Sequence, residues 1–218
     1  MARYLFTSRF GGVSNSPYES LNLGDHVGDQ ESLVAENRNR IQEYLSLNGL
    51  VFMSQTHGTQ IQEVNQPGVY EADALISRTK NLGIAVLTAD CIPLLISGTN
   101  CVAAVHVGRK GFLAGIVEKS VRRVHEFGSE FQAFIGPAIC GSCYEVSVDM
   151  YQSAVADFPA LATSPEQHAL DLPAAVVAEL NALNIPVTNT HRCTQENSDY
   201  YSYRRAPITG RMAGIISL

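Results

Sequence analysis

Residues 72–108 read ADALISRTKNLGIAVLTADCIPLLISGTNCVAAVHVG, and they decide the fold. Four apolar runs, Ala74 to Ser77, Ile84 to Thr88, Pro93 to Ser97 and Val102 to His106, are separated by breaks carrying Gly, Asn, Asp or Ser. Breaks this short cannot hold repeated crossover helices, so the strands must pair largely antiparallel or in a mixed sheet. A Rossmann-type arrangement is disfavoured.

Working outward, Val51 to Ser54 and Ile61 to Val64 add two strands before this block, and Arg3 to Thr7 predicts a first one. A polar loop from Ser8 to Gly28 follows that first strand, and Asp29 is placed to cap the next helix, in which Leu33, Val34, Ile41 and Leu45 fall near one face. Downstream, a helix from Gly111 to Phe127 turns Ile116, Val117, Val121 and Val124 inward, and Phe131 to Ile135 returns to strand. A helix near Val148 to Phe158 comes next. Asp171 then offers a cap and Pro173 a first-turn residue for Leu172 to Leu183, and Val187 to Thr190 and Met212 to Ile216 close the sheet system. The expected class is α/β (mixed α+β): one catalytic domain over residues 1–218, with a mixed, largely antiparallel sheet system and flanking helices.

The 218 residues suffice for a substantial core, and 45% hydrophobic with 17% charged residues is the composition of a soluble globular chain. A net charge of -6 and the lack of a long Lys/Arg run argue against nucleic-acid binding. The pair Arg122-Arg123 has Glu118 one turn back, as on a solvated helix face. No apolar stretch approaches the ~18 residues that span a bilayer, and the opening MARYLF lacks a signal peptide's long apolar region. A cytoplasmic protein with no membrane partner is expected. Five cysteines, an odd number, suit reduced thiols better than a disulfide framework.

Chemistry concentrates at three strand boundaries: His57 in SQTHG, Cys91 in TADC and His106 in AVHVG. Taken singly, a strand-end histidine is more often a hydrogen-bonded structural residue, and a free cysteine a small buried hydrophobe. Together, two imidazoles and a thiolate suffice to hold zinc while leaving one position open to water or substrate. Asp73 and Asp90 are candidates for general acid or base, against turn capping as the alternative. Arg9 and the pair Arg109-Lys110 are candidates for holding phosphate or carboxylate, against ordinary surface charge. Tyr200, Tyr201 and Tyr203 are open to pocket lining or to packing. Cys140-Gly141-Ser142-Cys143 has redox or zinc spacing but no second pair, so it reads as structural, and serine at both positions should leave turnover within a few-fold.

Eight segments match a known pattern in order: TSRFGGVS (7–14), LNLG (21–24), ENR (36–38), QTHG (55–58), ADA (72–74), TADCIP (88–93), Gly136-Pro137 with Tyr144-Glu145-Val146, and TGR (209–211). The chain resembles the YfiH family, long labelled multicopper polyphenol oxidase or laccase-domain proteins, over nearly its whole length. The resemblance implies that His57, Cys91 and His106 bind a catalytic zinc. It also implies adenosine deamination and phosphorolysis of adenosine, inosine, guanosine or methylthioadenosine, with nucleoside and phosphate as partners. Some relatives act instead as peptidoglycan-editing amidases on a nucleotide-linked amino sugar. The chain departs from the family at His106-Val107-Gly108-Arg109-Lys110-Gly111, where the usual loop reads His-Ala-Gly-Trp-Arg-Gly, and at Cys140, where Gly is usual.

Ligand supply argues against copper. A laccase needs one electron-transfer copper and a trinuclear cluster, mainly held by imidazole. With His26, His125, His168 and His191 added to His57 and His106, the six histidines are too few, and none of the four methionines follows Cys91 at short range. The cytidine-type deaminase signature, His-x-Glu before Pro-Cys-x-x-Cys, is also missing. The expected chemistry is therefore that of zinc, which lowers the pKa of a bound water from about 15.7 to near 7. Two rivals stand beside it: a metal-free Cys-His hydrolase acting on an amide through Cys91, and a non-catalytic relative that keeps zinc for binding.

Overall fold

A computed structural model describes residues 2–164 and 166–218, so Met1 of the opening run and Pro165 lie outside the described residues. Among the described residues eleven strands are formed: β1 (Arg3–Phe6), β2 (Gly49–Ser54), β3 (Ile61–Val64), β4 (Gly68–Glu71), β5 (Ala74–Ser77), β6 (Leu82–Thr88), β7 (Ile92–Ser97), β8 (Val102–Val107), β9 (Gln132–Ile135), β10 (Val187–Asn189) and β11 (Met212–Ser217). The helices are α1 (Glu31–Tyr44), α2 (Arg109–Leu113), α3 (Ile116–His125), α4 (Val148–Asp157) and α5 (Leu172–Ala182), with a short 3-10 turn at Pro159–Leu161.

The strands make two mixed sheets, one ordered β1-β11-β6-β2-β4 and the other β10-β9-β7-β8-β5-β3. Among the described residues five of the nine strand pairings are antiparallel, and parallel pairs such as β2 with β6 and β3 with β5 supply the rest. The expected mixed α/β class with flanking helices is the observed one.

Side-chain alternation shows how the layers stack. Leu75, Leu95, Val102 and Ala104 from the six-stranded sheet share a core with Val51, Met53, Ile84 and Val86 from the five-stranded sheet, so the two sheets pack face to face. The opposite side of the six-stranded sheet, carrying Ile76, Leu94, Ile96 and Val105, packs on Phe112, Ile116, Val121 and Val176 of the helices. The opposite side of the five-stranded sheet, carrying Phe52, Ala85, Leu87 and Ile215, is covered by Ile41 of α1 and by Leu21 and Leu23. The order is helix, sheet, sheet, helix. Central strands are thus buried on both faces, which is why they read as continuous apolar runs and not as alternating ones.

Three local readings need correction. The helix expected from Gly111 to Phe127 is two helices, broken at Gly115, whose φ of 82° suits glycine and ends α2. Asp29 does not cap α1. Its carboxylate accepts from Ser14 Oγ at 2.6 Å and Asn22 Nδ2 at 2.9 Å, and so fastens the 8–28 loop instead. β4 was not predicted because GVYE is a largely exposed edge strand with little apolar signal. Asp171, by contrast, caps α5 as expected, accepting from Ala174 N at 2.9 Å.

The Glu36-Asn37-Arg38 segment secures the long loop against α1. Buried Asn37 donates to Ser14 Oγ, Ser20 O and Asn22 O and accepts from Val13 N. Arg38 donates twice to Leu23 O and lies over the Phe52 ring at 3.9 Å. No helix among the described residues is long and apolar enough to cross a membrane.

Candidate metal centre and its cavity

Strand register brings the candidate ligands together. β7 and β8 pair antiparallel with Pro93 opposite His106, and Cys91 lies two residues before Pro93, hence on the same face. β5 pairs with β8 with Ala74 opposite Val105, which sets Asp73 beside His106. Asp73, Cys91 and His106 all fall in the alternation of Leu75, Leu95 and Ala104, the side turned toward the other sheet. His57 arrives from that other sheet, in the turn after β2. The site therefore lies at one end of the space between the sheets.

The ligand atoms of His57, Cys91 and His106 are within 4.8 Å of one another. Cys91 Sγ is 3.9 Å from His57 Nε2, and the two imidazole rings meet edge to face with centroids 4.7 Å apart. Both turns that deliver ligands carry unusual backbone: His57 has φ 61° and Asp90, next to Cys91, has φ 92°. Such conformations persist only where the surroundings over-determine them.

Asp73 does the over-determining at His57. It is fully buried, and its carboxylate accepts from Thr56 N, Thr56 Oγ1, His57 N and Gly58 N at 2.7–3.3 Å. It also pairs with His106 Nδ1 at 2.9 Å, while its carbonyl accepts from His106 N at 2.8 Å. Nδ1 held on Asp73 directs Nε2 of His106 at the cluster, where a metal ion would take the place of its proton. Burial alone would raise the Asp73 pKa, but the hydrogen bonds from His106, Gly58 and Thr56 hold it well below the usual carboxylate range. With its acceptor positions occupied, Asp73 is a positioning residue, and the expectation that it acts as acid or base is revised.

The same network conditions the other groups. Desolvation would raise the Cys91 thiol, but hydrogen bonding and charge from His106 and His57 bring it down to about 6. Desolvation would lower His106, but Asp73 and Cys91 raise it to about 9. Two imidazoles and an easily ionised thiol fit a borderline-soft ion such as zinc, with a carboxylate behind one histidine as such sites commonly have.

The cluster opens into a cavity of about 750 Å³. Among the residues that line it are His26, Thr88, Tyr144, Tyr203, Arg204 and Arg211. Thr88 Oγ1 is buried without a hydrogen-bond partner among the described residues, a group that a polar ligand would satisfy. Asp90 also lines the cavity, but Thr194 Oγ1 and Arg204 N each donate to one of its oxygens at 2.7 Å. Gln55 of the QTHG segment is likewise committed, bridging Leu87 N and Leu87 O at 2.8 Å.

The cations differ from the expected ones. Arg109 and Lys110 sit on α2 and are not among the residues lining the cavity. Arg9 donates to Glu19 O at 2.7 Å and lies 5.1 Å over the Tyr201 ring, so it organises the 8–28 loop. Tyr201 is buried packing, and of the three tyrosines Tyr203 lines the cavity. Arg204 and Arg211 went unrecognised as cavity cations, although Arg211 stands in the TGR segment that carries the resemblance. His26, which the sequence offers only as a copper ligand, lines the cavity as well.

Gly108 gives a sharp test of this geometry. Its φ of -88° is open to any residue, but a Cβ there would stand 2.9 Å from His57 Cδ2 and 3.2 Å from Cys91 Sγ. Gly108→Ala should therefore push both ligands and lower metal affinity about 10–100-fold, the scale of a lost orienting contact. Competition with a chelator measures it. Wild-type affinity in the variant would show that the three side chains do not act together.

Fold and site define a two-sheet α/β domain with a His-Cys-His ligand cluster at the end of the inter-sheet space. The chain belongs to the family described as multi-copper polyphenol oxidoreductase laccase, whose profile matches residues 3–218. It is 39% identical over 231 residues to a Corynebacterium glutamicum protein named purine nucleoside phosphorylase, covering 99% of this chain and 94% of that one. A Neisseria meningitidis protein superposes with a TM-score of 0.89 at 33% identity, over 100% of this chain and 94% of its own. Bacillus licheniformis YfiH does so with a TM-score of 0.85 at 29% identity, over 100% and 92%.

Proposed function

We propose that the protein is a zinc-dependent purine nucleoside enzyme that cleaves nucleosides with phosphate and also deaminates adenosine. The observation that carries this reading is the His57, Cys91 and His106 cluster opening into a cavity that also holds two guanidinium groups, Arg204 and Arg211. The name borne by the Corynebacterium relative supports it.

His57, Cys91 and His106 would hold the metal, with Asp73 fixing the ring of His106. When bound, zinc supplies Lewis acidity, polarising oxygen donors and making water acidic enough to serve as a nucleophile near neutral pH. Arg204 and Arg211 supply positive charge for phosphate, and the Arg204 guanidinium is anchored to Glu145 O at 3.0 Å and that of Arg211 to Thr209 O and Gly210 O at 3.0 Å. Held against C1′ of the ribose, hydrogen phosphate forms a C–O bond as the C1′–N9 bond breaks with its electron pair on the base, and the proton that the phosphate gives up goes to the base, yielding ribose 1-phosphate and free purine. Tyr144 and Tyr203 give the cavity the aromatic lining against which a purine would pack. The depressed Cys91 thiol beside two histidines favours one other reading, a metal-free Cys-His hydrolase acting on the amide of a nucleotide-linked amino sugar.

One experiment separates them. Adenosine, inosine, guanosine and methylthioadenosine are incubated with and without phosphate, before and after chelation, and products are resolved by chromatography. Phosphate-dependent release of base, lost on chelation and restored by zinc, is expected. Inert nucleosides together with chelator-resistant cleavage of an amide would replace this reading with the hydrolase.

A further inference from the structure

The Cys140-x-x-Cys143 pair stands alone in the sequence but not in space. The 140–143 loop follows β9 and the 193–196 turn follows β10, the strand that runs parallel to it. That parallel pairing continues past the strands as a bridge between Ala138 and Cys193, with Ala138 N donating to Arg192 O and Thr194 N to Ala138 O at 3.1 Å. Each segment then closes a turn: Cys143 N and Tyr144 N donate to Cys140 O, and Asn197 N donates to Cys193 O. In both turns the residues three apart, Cys140 with Cys143 and Cys193 with Glu196, are brought together.

The result is a group of four ligand atoms within 4.8 Å of one another: the sulfurs of Cys140, Cys143 and Cys193 and a carboxylate oxygen of Glu196. Cys140 N donates to Cys193 Sγ at 3.5 Å, and Cys143 Sγ donates to Glu196 Oε1 at 3.5 Å. All three cysteines are free. Three thiolates and a carboxylate are a complete tetrahedral donor set with no position left for substrate, which is the pattern of structural zinc and not of a catalytic site. Arg205, which donates to Thr194 O and Gln195 O, brings a positive charge against the same turn and offsets part of the ligand charge.

We propose that Cys140, Cys143, Cys193 and Glu196 form a second, structural zinc site that staples the loop after β9 to the turn after β10. Its position gives the staple a purpose. Ile139 and Tyr144, which flank the Cys140–Cys143 turn, line the cavity, and Thr194, next to Cys193, holds Asp90 beside Cys91. The second ion fixes the wall of the first ion's cavity from behind without touching substrate.

The test uses the full-length protein, reduced, stripped of metal and titrated with Co²⁺, whose near-ultraviolet charge-transfer absorption scales with the number of bound thiolates. Wild type should take up two ions per chain. Cys91→Ser should retain one, with the intensity of three thiolates. A Cys140→Ser/Cys193→Ser double variant should retain the other, with the intensity of one thiolate, a lower melting temperature and turnover within a few-fold of wild type. Failure of the cavity site alone would instead empty the double variant and leave the Cys91→Ser ion in place. The proposal is overturned if Cys91→Ser binds no cobalt, or if the Cys140→Ser/Cys193→Ser variant still takes up two ions per chain. Because Cys91→Ser leaves the second cluster intact, misfolding of the double variant does not blunt the test.

Discussion

Cys91→Ser should abolish nucleoside turnover and release the ion of the cavity site, the largest effect expected of any single substitution here. In the proposed site the thiolate would be the ligand, and the pairing with His106 and His57 favours that form, bringing the thiol's pKa down to about 6. A serine hydroxyl in the same place stays protonated and offers no comparable donor. Losing a partner that merely orients a ligand already costs about 10–100-fold in metal affinity, and losing the ligand costs more. The thiol's pKa also sets a sign for acid: as pH falls through about 6, protons compete for the sulfur, so wild-type affinity weakens on the acid side. Metal analysis and phosphorolysis assays on the purified variant check this. Wild-type turnover with serine at position 91 would remove the metal centre from the mechanism.

Asp73→Ala should be nearly as damaging, but to the fold as well as to the site. The substitution strips a fully buried carboxylate from His106 and from the donors of Thr56, His57 and Gly58. Breaking one side of a buried pair costs about 3–5 kcal/mol, and the freed turn at His57 would relax from its strained φ. Denaturant unfolding should register the loss. Asp73→Asn keeps the shape but turns an NH₂ group toward N–H donors, so it should still fold while binding metal about 10–100-fold more weakly. Because the folded pKa of Asp73 is depressed, its contribution to stability is present above the ordinary carboxylate pKa and fades as pH drops below it. Asp73→Asn should show a shallower loss of stability in that acid range. Equal metal affinity in Asp73→Asn and wild type would show that the carboxylate does not orient His106.

The convergence of His57, Cys91 and His106 was legible in the sequence because each stands at the edge of an apolar run, and strand ends are where sheets present side chains to a common rim. The strands themselves were legible for the same reason, with β4 missed for want of apolar residues. Periodicity could not reveal that the strands divide between two stacked sheets, since strands covered on both faces lose the alternation that would assign them. The cavity cations were hidden differently. Arg204 and Arg211 reach the site because the chain returns to the five-stranded sheet as β11, a crossing with no local signature, whereas Arg109 and Lys110 are near His106 in sequence yet carried off by α2. Cys193 and Glu196 escaped notice because a ligand pair mixing sulfur and oxygen matches no familiar spacing.

The facing of Pro93 and His106 across β7 and β8 has a consequence for how the chain finds its structure. If the two strands zipped one residue out of step, every side chain of one would turn over, and His106 would be sent from the inter-sheet space to the helix-covered side. The apolar residues on either side of β8 are similar enough, valines and alanines, that hydrophobic burial alone distinguishes the two alignments weakly. The imidazole distinguishes them completely, because one alignment finds Asp73 and Cys91 and the other buries a polar ring among aliphatic side chains. The chemistry of the site thus doubles as a proofreader of strand alignment, and the appearance of tight metal uptake during refolding would time the moment at which the central hairpin has settled into step.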